Sequence, residues 1–169
     1  MRRLWARIAA GSVALAVPAL ALDTPNERIT LVGLTGVHVV VYDVDGEGER
    51  AGLASRSLQA ELEQRLRRAG LRPLGAGEAL KSASRPTLEL RLKLVRTRQA
   101  PPLYLYSVDL ALRQRVQLAR NRTIESFAIT WSEPSEVGAV ESGELSIVRD
   151  AIRAKVEQLV SAWQAANPD

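Results

Sequence analysis

Between Leu88 and Leu118 a row of large apolar side chains occupies even-numbered positions: Leu88, Leu90, Leu92 and Leu94, then Tyr104, Tyr106, Val108, Leu110, Leu112, Val116 and Leu118, the second run broken only by Gln114. Successive residues of an extended chain project to opposite faces, so this row describes two long strands with one dry and one wet side. Pro101-Pro102 separates them, and a hairpin follows. Matching the dry faces leaves a small set of registers. The one that sets Glu89 opposite Arg113 and Lys93 opposite Asp109 gains opposite-charge pairs worth about a few tenths of a kcal/mol each.

Other elements arrange themselves around that hairpin. Val37–Val44 is dense in β-branched residues and predicts a strand, ended by Asp45-Gly46-Glu47-Gly48. Leu58, Leu62 and Leu66 fall four apart in 55–69, an amphipathic helix with Ser55 as its N-cap and Gly70 as the left-handed residue after it. Leu71–Leu74 is a brief optional strand, and Gly75–Pro86 a loop with one helical turn near Glu78–Lys81. After the turn at Arg120-Asn121-Arg122, Phe127, Ile129 and Trp131 alternate with Ala128 and Thr130 in a further strand that Pro134 stops. A Gly-containing loop leads to Leu145, Val148, Ile152, Val156, Leu159 and Trp163, the stripe of a terminal helix. Ile29–Val32 reads as a short extended piece.

This order, β-α-(β)-β-β-β-α, predicts an α+β domain: a mainly antiparallel sheet of four to five strands with two helices packed on one face. One domain, 22–169, accounts for it. Residues 1–21 carry Arg2, Arg3 and Arg7, then an apolar run ending in Ala19-Leu20-Ala21, the pattern of a secretory signal peptide with its small-x-small cleavage site. The run is short for a bilayer, which takes about 20 residues, so a retained anchor is the weaker reading and no stable membrane anchor is expected after cleavage. Losing the leader removes three arginines and no acid, which lowers the formal charge from +4 to +1. A phosphate-tracking nucleic-acid surface is therefore not expected. A periplasmic or secreted location follows from the leader, and zero cysteines are compatible with it.

No reaction announces itself. The chain has one His, His38, set in an apolar strand without a second His or any Cys, which reads as a structural imidazole and not a catalytic one. Asp43-Val44-Asp45-Gly46-Glu47-Gly48-Glu49 gathers carboxylates beside glycines, yet an EF-hand counted from Asp43 meets Ala54 where its bidentate Glu belongs, so an acidic turn is the reading. No G-x-S-x-G, S-x-x-K or Walker spacing occurs. No catalytic, cofactor-binding or metal-ligating residue is assigned, no cofactor is expected, and the chain reads as a non-enzyme. Arg91, Lys93, Arg113 and Arg115 lie on the wet hairpin face, where an anionic partner competes with plain ion pairing to Glu89 and Asp109. Tyr104, Tyr106, Trp131 and Trp163 are core or interface filler. Asn121-Arg122-Thr123 has the form of a glycosylation sequon.

The leader, Val37–Val44, Ala51-Gly52-Leu53, Arg68-Ala69-Gly70, Tyr106-Ser107-Val108-Asp109 with Arg113 and Arg115, Thr130-Trp131-Ser132 and Val148-Arg149-Asp150-Ala151 together resemble a group of small secreted bacterial proteins of unknown function. In arrangement the chain also loosely resembles the N-terminal domain of TolB and related envelope accessory domains. Those likenesses imply an exported interaction or accessory domain of the cell envelope and bring no catalytic set with them. The alternative is a small-molecule or lipid carrier with a cavity between sheet and helices.

Overall fold

The computed structural model describes residues 25–168 except 43, 45 and 51. The expected leader, residues 1–21, and two carboxylates of the acidic turn, Asp43 and Asp45, lie outside the described residues. Helix α1 (Pro25–Arg28) runs into a 3-10 turn, Ile29–Leu31. The extended piece expected at Ile29–Val32 is therefore helical. The tight turn seats Leu31 in the core while Ile29 and Val32 stay in solvent.

Strand β1 (Gly36–Val41) is shorter than the β-branched run that forms it. Helix α2 (Gly46–Arg50) leads to α3 (Ser55–Arg68), whose Leu58, Leu62 and Leu66 are all buried. Ala54, not Ser55, occupies the N-cap of α3. The Ser55 hydroxyl instead accepts the Val44 N–H at 3.1 Å, which ties the end of the β1 segment to the helix start. At the other end the expected motif is present. Gly70 has φ +91°, its N–H reaches Arg67 O at 3.2 Å, and the N–H of buried Leu71 returns to Leu66 O at 3.0 Å, the paired bonds of a Schellman cap.

Strand β2 is only Arg72–Pro73, and α4 (Ala76–Lys81) replaces the single turn expected there, with Glu78 Oε2 accepting the Gly75 N–H at 2.9 Å. Strands β3 (Thr87–Arg96), β4 (Leu103–Leu118), β5 (Asn121–Ser132) and β6 (Glu136–Glu141) follow, then helix α5 (Ser146–Ala166). The sheet order is β2-β1-β3-β4-β5, with β6 also on β4. The sheet has six strands where four to five were expected, and it is mixed: β3 to β6 pair antiparallel as expected, while β1 runs parallel to both β2 and β3. The cause is connectivity, because a chain that leaves β1 through α3 comes back to the starting end and can only pair in parallel.

The β3–β4 hairpin forms as the even-number row requires, two residues away from the expected register. Arg113 faces Thr87, Glu89 faces Ala111, Lys93 faces Ser107, and Asp109 faces Arg91. The charge criterion did not separate the two registers, since Arg113 still reaches Glu89 diagonally at 3.3 Å. The loop decides: Thr97 N–H bonds Leu103 O at 2.8 Å while the Thr97 hydroxyl accepts the Leu103 N–H at 2.9 Å.

A second correction concerns β5. Trp131 pairs with Leu112, but Ile129 pairs with Arg113, so Thr130 is an extra residue and the strand bulges there. The bulge sends Trp131 to the dry side and leaves Phe127 and Ile129 on the wet one, 48% and 58% exposed. Gln114, the break in the even row, locks this point: its Nε2 donates to Thr130 Oγ1 at 2.9 Å and to Thr30 O at 3.1 Å. The Gly-containing loop contains β6, which continues the line of β5 along β4 after Glu133–Ser135. Buried Lys155 of α5 donates to Pro134 O at that interruption.

Helices α3 and α5 lie on the dry face, their stripes packed over Leu88, Leu90, Leu110, Leu112 and Trp131. Glu61 of α3 joins them by accepting from Arg153 Nε at 2.9 Å. Burial pushes its carboxyl up, but the Arg153 hydrogen bond and the charges of Arg153, Arg65 and Arg149 outweigh that and hold it below the ordinary value of 4.5. A depressed carboxylate contributes stability that is complete above the unfolded value and is lost as pH falls through the folded one. Glu61→Gln should therefore cost about 1 kcal/mol near neutrality. Urea melts at stepped pH should show the difference shrinking as the solution is acidified below 4.5, and a constant difference would contradict this clamp.

Candidate functional site

The outer face of the sheet, opposite α3 and α5, holds every charged residue that the alternation assigned to the wet side. Its centre is Glu89, only 6% exposed despite its position. Arg91 Nη2 reaches Glu89 Oε2 at 3.2 Å and Arg113 Nε reaches Oε1 at 3.3 Å, so the buried carboxylate has a guanidinium on each oxygen. The Arg91 guanidinium also stacks 4.6 Å over the Tyr42 ring. Arg115 is committed to Glu125 at 3.0 Å and to Ala83 O at 2.9 Å. Of the four cations proposed to hold an anion, these three are engaged within the fold, and Lys93 alone carries no ion pair among the described residues. Asp109 accepts from Ser107 Oγ at 3.2 Å and from the Ser135 hydroxyl. Glu89, Arg91, Lys93, Asp109 and Ser135 line a pocket of about 420 Å³ whose remaining wall includes Ile129.

His38 sits on the same face, one strand over. Its Nδ1 is 3.0 Å from Leu74 O, so in the neutral ring Nδ1 carries the proton. Among the described residues no group of three His, Asp or Glu side chains is gathered closely enough for a metal ion. Whether Asp43 and Asp45 approach His38 lies outside the described residues. The aromatic residues divide as follows: Trp131 is fully buried, Trp163 donates Nε1 to Leu34 O at 2.7 Å, and Tyr106 is buried with its hydroxyl 3.4 Å from Glu136. Burial, and then the Glu136 carboxylate, raise the Tyr106 phenol above its usual range.

The edges of the sheet differ in a way the sequence pattern did not reveal. One edge is β2, two residues long, containing Pro73 and overlain by the Arg72–Glu78 pair at 3.1 Å. The other is the line of β5 and β6, each paired only with β4, and it displays Ile124, Phe127, Ile129 and Val137 to solvent. The apolar content of β5 was visible beforehand, but its exposure depends on the bulge at Thr130. No helix among the described residues is long and apolar enough to cross a membrane.

No family model matches the chain, and no curated protein matches it. Among solved structures the chain is similar to the PelC dodecamer from Paraburkholderia phytofirmans, with 16% identity and a TM-score of 0.42, over 78% of this chain and 92% of that one.

Proposed function

We propose that the chain is an exported, non-enzymatic contact module of the bacterial cell envelope. In this reading residues 1–21 are the export leader, 22–169 form the working domain in the periplasm or beyond, and a protein partner docks on the β5–β6 edge. The observation that carries the reading is the asymmetry of the two edges. Proteins that stay apart usually blunt their edge strands with short length, proline or charge. This chain does so at β2 and leaves β5 open ahead of Thr130, whose carbonyl takes the Thr30 hydroxyl, with the apolar side chains of Ile124, Phe127 and Ile129 along that edge. An extended segment added there would gain main-chain hydrogen bonds, and the exposed isoleucines would select its side chains. The carrier alternative needs open space between sheet and helices, a layer occupied by Leu58, Leu62, Leu66, Ile152, Leu159 and Trp131.

The test is capture from an envelope extract with the full tagged chain and with an Ile124→Lys, Ile129→Lys double variant, using Ala154→Lys on the exposed side of α5 as control. A lysine on an open edge blocks strand addition without touching the core. The wild type and the control should retrieve the same protein and the double variant should not. Equal retrieval by all three, or none by any, would count against docking at this edge.

A further inference from the structure

We infer that a second, smaller pocket on the outer face, between α4 and the sheet, binds a small amphiphilic carboxylate: one carboxylate on a short apolar chain. The pocket has a volume of about 240 Å³ and is walled by His38, Ala79, Leu80, Phe127 and Arg85. Drug-sized ligands occupy sites of about 300–1,000 Å³, so the occupant is smaller. Leu80 and Phe127 stand 63% and 48% exposed and give this pocket two apolar walls that a short hydrocarbon chain would cover.

Arg85 supplies the polar end. Among the described residues it is the non-glycine with a positive φ, +45°, a region that a branched or long side chain enters at a cost. The surrounding loop imposes this conformation. Arg85 N–H bonds Ser82 O at 3.2 Å, Arg115 N–H holds Ser84 O at 2.6 Å, and on the far side Pro86 O takes the His38 N–H at 2.9 Å. Glycine would adopt the same turn without strain, yet the position holds an arginine whose guanidinium has no ion pair or hydrogen bond among the described residues. The hairpin arginines of the same sheet face, Arg91, Arg113 and Arg115, have such partners, whereas Arg56, Arg67 and Arg68 of α3 have none among the described residues, so it is the left-handed backbone that sets Arg85 apart. Strain retained for an unused charge beside an apolar pocket is what a ligand clamp looks like before its ligand arrives. A guanidinium pairs a carboxylate through two parallel N–H donors, and the single cation with apolar walls suits a monoanion better than a phosphate dianion. His38, with its ring fixed on Leu74 O, completes the wall.

Octanoate is the probe, titrated by calorimetry against the full chain, with acetate as the tail without its length, octanol as the tail without its charge, and octyl phosphate as the competing headgroup. Octanoate should bind saturably at one site, and acetate and octanol should each bind at least about ten-fold more weakly, because each lacks one half of the recognition. Arg85→Gly should raise the melting temperature, since it removes the strained conformation, and weaken octanoate by at least about ten-fold. The opposite movement of stability and affinity separates a clamp from a turn residue that merely tolerates its place. No binding of octanoate, a preference for octyl phosphate, undiminished binding by Arg85→Gly, or a less stable Arg85→Gly protein would each overturn the assignment. The Ile124→Lys, Ile129→Lys variant should bind octanoate normally, which keeps this site independent of the partner edge.

Discussion

Trp131→Ala should lower the unfolding free energy by about 3–5 kcal/mol, the range for truncating a buried large aromatic side chain. Trp131 is fully buried and is the one buried side chain of β5, seated against Leu112 and the underside of the helices. It reaches that position through the Thr130 bulge. Thr130 is held from two sides, by the Gln114 amide at 2.9 Å and by the Thr30 hydroxyl, which donates to Thr130 O at 3.0 Å. The backbone is therefore not free to collapse into the cavity left by alanine, and the cost stays near the upper part of the range. Trp131→Phe should be far milder, under about 1.5 kcal/mol, because it keeps most of the volume and removes an indole N–H that has no acceptor among the described residues. Denaturant melts with an unchanged m-value would give both numbers. A loss under about 1 kcal/mol for the alanine variant would mean that the bulge does not bring Trp131 into the core.

Gly36→Ala should cost about 1–3 kcal/mol and detach β2 from the sheet. A Cβ at Gly36 would lie 2.6 Å from Arg72 O and 2.9 Å from Leu74 Cδ2, so a backbone carbonyl stands in its way and not only the end of a side chain. Gly36 is paired with Arg72, and the next contact, Leu74 N–H to Val37 O at 2.8 Å, belongs to the same short parallel ladder. Forcing the strands apart should release that ladder first. Amide exchange would register it as lost protection at Leu74 with Leu88 and Leu90 still slow, since β1 keeps its own pairing to β3. Unchanged stability and an unchanged Leu74 amide would contradict the close approach of β1 and β2.

The parts of this fold that were legible in the sequence are those in which one physical requirement dominates a long stretch. The even-number row from Leu88 to Leu118 had to be two strands sharing a dry face, and the four-residue spacing of Leu58, Leu62 and Leu66 had to be a helix that Gly70 could close. Where local signals competed, the reading stopped short. Strand β6 follows a proline and turns Val137 outward and Val140 inward, so its apolar residues do not alternate in the way a half-buried strand does. The parallel setting of β1 and the register of the hairpin depend on crossover and loop geometry, which residue types alone do not encode. The same holds for the candidate sites. His38 and the hairpin arginines were visible as residue types, whereas the burial of Glu89 comes from the guanidinium on each of its oxygens, the outward turn of Phe127 and Ile129 from one bulge, and the left-handed Arg85 from one tied loop.

The open β5–β6 edge is tested most directly by placing a photoreactive amino acid at position 124 of the full chain, and separately at position 154 on α5, in the cells that make the protein. Contact through the edge predicts a discrete cross-linked species from position 124 that is absent from position 154 and that disappears when Ile129→Lys is added. Cross-links of equal yield from both positions, or none from position 124, would contradict it.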